Sequence, residues 1–430
     1  MNYQETLTYL YACAPMFQQV GPGAYKEGLD NTRALDEHLG HPHRQYATIH
    51  VGGTNGKGSC SHTLAAMLQS AGYRVGLYTS PHLVDFRERI RVDGTPVEEA
   101  YVVDFVERHR AFFEPLHPSF FELTTALAFA YFAERKVDVA VVEVGLGGRL
   151  DCTNIIRPRL SIITNISFDH VQLLGHTLAQ IATEKAGIIK AGIPAVIGEA
   201  NEETRPVFEA RAKEVGAPLV FAEDEHRLLR ADRNDDGTWR YQAENLSDLR
   251  GELGGLCQLK NTNTLLAALP LLRQQGFRLT DKDVRTGLAE VVERTGLMGR
   301  WQQLEHRPDL VCDTGHNVGG IAYIAEQLRA GLRRYAHLHV VVGMVNDKDV
   351  SGVLALLPHE ATYYFTQASV KRAMPAPELQ AKARLAGLEG SCHASVAEAV
   401  EAAKRQAGAE DLIFVGGSTF VVADLLTARR

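Results

Sequence analysis

A chain of 430 residues with 45% hydrophobic and 23% charged side chains has the composition of an ordinary folded protein and exceeds what one core usually organises, so two domains are expected. A net charge of -7 without a dense Lys/Arg run argues against a nucleic-acid partner. The opening MNYQETLTYL lacks a basic stretch followed by an apolar run, no segment has the length of a membrane span, and the cysteines at 13, 60, 152, 257, 312 and 392 show no CxxC spacing, so no membrane partner, disulfide framework or cysteine-ligated metal is expected, and the cytoplasm is the expected compartment.

From residue 46 short β-branched runs alternate with helical patterns, the signature of βαβ units around a parallel sheet. YATIHV reads as a strand, SCSHTLAAMLQSAG as the helix after it, and YRVGLYTS as a second strand; PHLVDFRERIRVDG, which follows, reads as irregular and charged. FELTTALAFAYFAERKV reads as a buried helix. VDVAVVEVG is a continuous apolar run of the kind buried on both faces of a parallel sheet, and RLSIITNI and IPAVIG repeat it. TLAQIATEKAGIIKAG has helical spacing, and HRLLRADRNDDGTWRYQAE reads as a β-hairpin turning at NDDG. CQLKNTNTLLAALPLLRQQG returns to helix. Near RTGLMGRWQQLE a second strand and helix series begins, with DLVCDTG, HVVVGMV, ATYYFTQ and DLIFVGG as its strands. The boundary falls between residues 294 and 300, giving domains 1–296 and 297–430, both α/β.

The stretch HVGGTNGKGSC (50–60) departs from the usual phosphate loop: Val51 stands where the first glycine should be, and Gly58 separates Lys57 from Ser59. It still follows a strand and precedes a helix, so backbone N–H groups from Gly53 through Thr54, Asn55, Gly56, Lys57 and Gly58 to Ser59 would meet the positive end of that helix's dipole, where phosphate oxygens bind. Lys57 can neutralise outer phosphates and Ser59 can reach Mg²⁺. Glu143 closes a buried strand, where a carboxylate needs a cation or hydrogen bonds; a glutamate pointing to water is the competing reading. His170 follows another strand end, and Lys185 stands near a helix end, where a cation has an ordinary structural explanation. Asp313 and His316 in DTGHN could meet a ribose, base or phosphate, or simply cap a loop.

Taken together, HVGGTNGKGS, YTSPHLVDFRERI, VVEVGLGGRLDCTNII, ITNISFDHVQLLG, IATEKAGIIKAG, DTGHN and NDKD resemble the folylpolyglutamate synthase and dihydrofolate synthase family of the Mur ligase superfamily. The resemblance implies an N-terminal P-loop ATPase domain with a central, mainly parallel sheet, a smaller Rossmann-like C-terminal domain, and an active site in the cleft between them. It implies that ATP phosphorylates a carboxylate of the pterin-linked substrate and that the amino group of L-glutamate attacks the acyl phosphate. The implied substrates are dihydropteroate, reduced folates and L-glutamate; the cofactors are ATP and Mg²⁺, with a monovalent cation such as K⁺ as a further expectation, and a monomer is expected. By matching motif, Gly56, Lys57, Gly58 and Ser59 would hold phosphates, Ser80, Glu143 and His170 would ligate magnesium beside Ser59, and Lys185 would be the lysine this family carbamylates. Asn261, Arg300, Asp313 and His316 would complete the nucleotide site. Lys26, Glu27 and Gly28, Ser119, Phe120, Phe121 and Glu122, and Leu150, Asp151 and Cys152 would line the pterin pocket, with Phe121 as the stacking face. Val318 and Cys257 depart from the family pattern, where proline and histidine are common.

Two other readings compete. A muropeptide ligase of the same superfamily would need a sugar-nucleotide domain for which the residues ahead of 46 leave no room. An ATP-dependent switch would turn over without glutamate.

Overall fold

The computed structural model describes residues 1–13 and 28–429; Lys26 and Glu27 lie outside the described residues. The chain forms two units, Met1–Glu252 with Leu259–Leu297, and Leu253–Gln258 with Met298–Arg430. In the first, eight strands lie in the order β4-β3-β2-β5-β1-β6-β7-β8. They are β1 Ala47–Gly52, β2 Val75–Tyr78, β3 Ile90–Val92, β4 Thr95–Pro96, β5 Val139–Glu143, β6 Leu160–Ile163, β7 Ala195–Ile197 and β8 Leu219–Phe221. From β2 to β8 every pairing is parallel. The central strands are mainly apolar and buried along nearly their whole length, because helices cover both faces of such a sheet.

Two features set the positions that matter for chemistry. The register pairs Val51 of β1 with Glu143 of β5, so the last residue of β5 stands beside the start of the glycine-rich loop. The helix Lys57–Ser70 then leaves that loop with nearly all of its residues buried. A second helix, Phe120–Glu134, is buried on nearly all sides, as its apolar sequence requires.

The stretch PHLVDFRERIRVDG is not irregular: it contains a short 3₁₀ helix at Phe86–Arg89 and then β3, which pairs antiparallel with β2 and β4. Its charge misled because the arginines are used internally. Buried Arg89 donates from Nε to His82 Nδ1 at 2.7 Å, and Arg91 donates to the Gly94 carbonyl at 2.9 Å. The NDDG hairpin is part of a three-stranded sheet, β9 Leu228–Arg233, β10 Trp239–Ala243 and β11 Leu246–Gly251.

In the second unit, β12 Gln302–Glu305, β13 Asp309–Cys312, β14 Leu338–Val342, β15 Thr362–Phe365, β16 Gly390–Cys392 and β17 Leu412–Gly416 form a sheet in the order β12-β13-β17-β14-β15-β16. Only β12 is antiparallel. Residues 253–258 join this unit because the Gln327 amide grips them, accepting from the Leu256 N–H at 2.8 Å and donating to the Gly254 carbonyl at 3.0 Å. Among the described residues no helix is long and apolar enough to cross a membrane.

Candidate active site

The loop between β1 and the helix Lys57–Ser70 is shaped by two glycines. Gly53 has φ +135°, and a Cβ there would fall 1.9 Å from Thr164 Oγ1; Gly56 has φ +84°, and its Cβ would fall 2.3 Å from Asn261 Oδ1. Neither conformation nor either approach suits a larger residue. Asn261 thus lies against the loop.

Two lysines converge on this loop. Lys57 Nζ donates to the carbonyls of Gly53 and Thr54 at 3.1 and 3.0 Å, and Lys185 Nζ donates to the same Gly53 carbonyl at 2.8 Å. Lys185 is buried, and burial, reinforced by the charge of Lys57, pushes its pKa down to about 7. It is therefore not a solvated cation at a helix end: its side chain runs inward from the last turn of Leu178–Ala186 to the loop.

Glu143 is buried, and its Oε2 accepts the Ser80 N–H at 3.1 Å, which brings two of the expected metal ligands together. His170 has φ +50° and precedes the short helix Val171–Leu174, with its own N–H donated to Asp169 at 2.8 Å. Ser59 is buried in the first turn of its helix. Among the described residues no three His, Cys, Asp or Glu side chains form a metal-holding group. The hydroxyls of Ser59 and Ser80, the Glu143 carboxylate and the His170 imidazole would offer a mainly hard-oxygen donor set of the kind that binds Mg²⁺.

Within ITNISFDHVQLLG, sequence reasoning singles out His170 but not the residues that bond to the loop. Thr164, Asn165 and Ser167, just past β6, bond to it repeatedly: the Thr54 N–H reaches the Asn165 carbonyl at 2.9 Å, and the Asn55 N–H reaches Asn165 Oδ1 at 3.0 Å. The expectation that all N–H groups from Gly53 to Ser59 face phosphate therefore narrows, since those of Thr54 and Asn55 point into the protein. The partners of Asn55 and Asn165 are 110 residues apart in sequence, so no local pattern pairs them.

The residues expected in a pterin pocket have clear local duties. Ser119 and Glu122 form a capping box at the start of Phe120–Glu134, with the Ser119 N–H donated to Glu122 at 2.6 Å and the Glu122 N–H to Ser119 Oγ at 3.3 Å. Asp151 accepts the N–H groups of Leu146 and Thr153 at 2.8 and 3.0 Å and also the Thr153 hydroxyl, and burial raises its pKa. Phe120 is buried, and burial holds the Cys152 thiol well above its usual value. Leu150 lies between Arg149 and Asp151 in that same loop. Phe121, half-buried, stacks on Tyr78 at 5.8 Å and lies so close to Gly145 that a Cβ there would fall 2.3 Å from its ring. Gly28 has φ +104° with open space around it.

In the second unit, Asp313 is buried at the end of β13, and its two oxygens accept the N–H groups of Trp301 at 2.7 Å and Gly315 at 2.8 Å; burial raises its pKa. Arg300 donates to the Thr314 hydroxyl and to the Gly299 carbonyl, and His316 Nδ1 lies 3.0 Å from the Thr314 carbonyl. Asn317 caps the helix Val318–Gly331, so Val318 simply begins that helix.

A parallel α/β sheet delivering a glycine-lysine loop to a helix start, with a buried carboxylate on the neighbouring strand and a second α/β unit after it, defines a two-unit nucleotide-dependent enzyme of the Mur ligase type. Residues 51–267 match the Mur ligase middle domain, and residues 299–419 the Mur ligase glutamate ligase domain. The dihydrofolate synthase/folylpolyglutamate synthase of Bacillus subtilis is 32% identical, over 93% of this chain and 94% of that one. The structure of Escherichia coli FolC in complex with DHPP and ADP covers 100% of this chain and 98% of its own, at 31% identity and a TM-score of 0.85. The structure of a bifunctional folylpolyglutamate synthase/dihydrofolate synthase from Yersinia pestis, complexed with AMPPNP and Mn ion, covers 100% of this chain and 98% of its own at 30% identity and a TM-score of 0.82. The chain belongs to the folylpolyglutamate synthase/dihydrofolate synthase family of Mur ligases.

Proposed function

We propose that this ATP-dependent amide ligase of folate metabolism works on two acceptors, adding L-glutamate both to dihydropteroate and to the glutamate tail of reduced folates, as a monomer. The observation that carries the ligase chemistry is the convergence of Lys57 and Lys185 on the Gly53 carbonyl, beside the helix start and across from buried Glu143. Phosphoryl transfer asks a protein mainly for positioning and charge neutralisation, and these residues supply both.

In the reaction an acceptor carboxylate oxygen attacks the γ-phosphorus of ATP, and ADP leaves. The amino group of glutamate then attacks the acyl carbon, and phosphate leaves with the former carboxylate oxygen. The N–H groups at the start of Lys57–Ser70 cradle the phosphates, and Lys57 exchanges its loop carbonyls for phosphate oxygens. With its pKa near 7, Lys185 exists partly as a free amine at neutral pH. A free amine adds to carbon dioxide, forming an N–C bond and releasing a proton, and the resulting carbamate replaces a cation with an anion. Ser59, Ser80, Glu143 and His170 would hold Mg²⁺, which when bound neutralises charge on the transferred phosphoryl group. The pterin reading retains Phe121, whose ring offers a stacking face, together with Phe120, Gly28, Leu150 and Cys152. Ser119, Glu122 and Asp151 then serve by shaping the pocket wall.

The test is ADP release with Mg-ATP and L-glutamate, run in parallel with dihydropteroate and with tetrahydrofolate and followed by mass analysis of the products. Turnover with both acceptors is the expected result. Turnover with one removes the second activity, and ADP release independent of glutamate overturns the ligase reading in favour of a switch.

A further inference from the structure

Besides the bonds of Lys57 within it, the phosphate loop is held from outside by the segment after β6. Thr164 at the end of β6 donates its hydroxyl to the Asn55 carbonyl at 2.5 Å and its N–H to the Gly52 carbonyl at 3.0 Å. Asn165 takes two consecutive loop N–H groups, Thr54 on its carbonyl and Asn55 on its side chain, at 2.9 and 3.0 Å. Ser167 closes the clasp: its N–H reaches Thr54 Oγ1 at 3.1 Å, its carbonyl accepts that hydroxyl at 3.2 Å, and its own hydroxyl accepts from Asn55 Nδ2 at 3.1 Å.

These bonds pull in one direction. The loop-tip groups that they engage, the N–H groups of Thr54 and Asn55, the Thr54 hydroxyl and the Asn55 carbonyl, are turned toward the segment after β6. Thr164 also explains why residue 53 is glycine, because its hydroxyl occupies the place a Cβ would take. His170, a proposed metal ligand, follows Ser167 by three residues, so the clasp and that ligand share one short segment.

We infer that Thr164, Asn165 and Ser167 are positioning residues for the nucleotide triphosphate: they fix the loop in its phosphate-accepting shape before ATP arrives, and so set ATP affinity without touching ATP. The inference rests on the reading of this edge as the nucleotide site.

The experiment is calorimetric binding of a non-hydrolysable ATP analogue with Mg²⁺ to the whole chain, alongside thermal melts and steady-state KM for ATP and for the folate acceptor. Thr164→Val keeps the side chain's shape and removes its hydroxyl, and should weaken analogue binding roughly five- to tenfold per lost bond. Ser167→Ala, at a half-buried position, should weaken it by a similar factor, while Thr164→Ser should recover most of the affinity. KM for the acceptor should stay within about twofold, since a twofold change is a fraction of a kcal/mol. Unchanged analogue affinity in both Thr164→Val and Ser167→Ala overturns the inference. So does an equal loss for nucleotide and acceptor that tracks a lowered melting temperature, because that pattern belongs to general destabilisation. A wild-type chain that binds no nucleotide overturns the inference and the nucleotide-site reading together, whereas wild-type binding with unaffected variants overturns the inference alone.

Discussion

The two units end their parallel strands in opposite electrostatic styles. At the carboxyl edge of β1 and β6 in the first, two lysines share one backbone carbonyl, and the buried one is held near pKa 7. At the carboxyl edge of β13 in the second, a buried carboxylate gathers two backbone N–H groups and holds a loop. Crowded cations with a depressed pKa are costly to assemble and serve an incoming anion, whereas a carboxylate satisfied by N–H groups already has a structural use. A polar strand edge thus marks where ligands bind in such folds, and burial shifts both Lys185 and Asp313 toward their neutral forms.

The contrast predicts a ranking of effects. Lys185→Ala should lower kcat by about a thousandfold, in the range lost when a key electrostatic group is removed, with the melting temperature unchanged or raised because a buried cation has gone. Near wild-type turnover in this variant, read as glutamate-dependent ADP release, would place Lys185 among ordinary structural residues.

Acid should next separate the units. Burial holds both His50 and His82 of the first unit at a pKa of about 3, against about 6.5 in an unfolded chain. Between those values the unfolded state binds more protons, so stability rises with pH across the window and falls as the solution is acidified from 6.5 toward 3. In the second unit burial also lowers the pKa of His339, but the neighbouring Asp411 counters that effect. Hydrogen exchange read by peptide mass between pH 6.5 and 4 should show protection lost first around β1 and His82; simultaneous loss in both units would erase the distinction.

Asp313→Asn should cost about 1–2 kcal/mol, since the amide can accept only one of the two N–H groups, with a smaller loss of turnover than Lys185→Ala. A denaturant melt beside a rate assay checks this, and a reversed order would make Asp313 the more reactive group. Ser119→Ala should have the smallest effect, about 1 kcal/mol from the lost cap, with KM for the acceptor unchanged. A rise in that KM would restore Ser119 to direct substrate contact.

The central strands were legible because both of their faces are buried, so VAVVE and LSII are mainly apolar, broken only by Ser161 and ended by Glu143. Other strands were not: β3 hides in ERIRV, where Arg89 and Arg91 are buried, and β12 and β16 are edge strands of four and three residues without a continuous buried run. At the site, the loop and its lysine announced themselves by order and spacing. SFFE, in contrast, spells a capping box that local rules could have read, although it was assigned to a ligand. Thr164, Asn165 and Ser167 stand in the motif ITNISFDHVQLLG, but no local pattern pairs them with the loop, since their partners lie more than 100 residues away.

Transfer of oxygen tests the central claim most directly. With the acceptor's reacting carboxylate labelled with ¹⁸O, Mg-ATP and L-glutamate, a ligase working through an acyl phosphate releases inorganic phosphate carrying one labelled oxygen for each amide formed, and mass spectrometry of the phosphate should find it. Amide formation with unlabelled phosphate would contradict carboxylate attack on the γ-phosphorus, and with it the role given to the two lysines on Gly53.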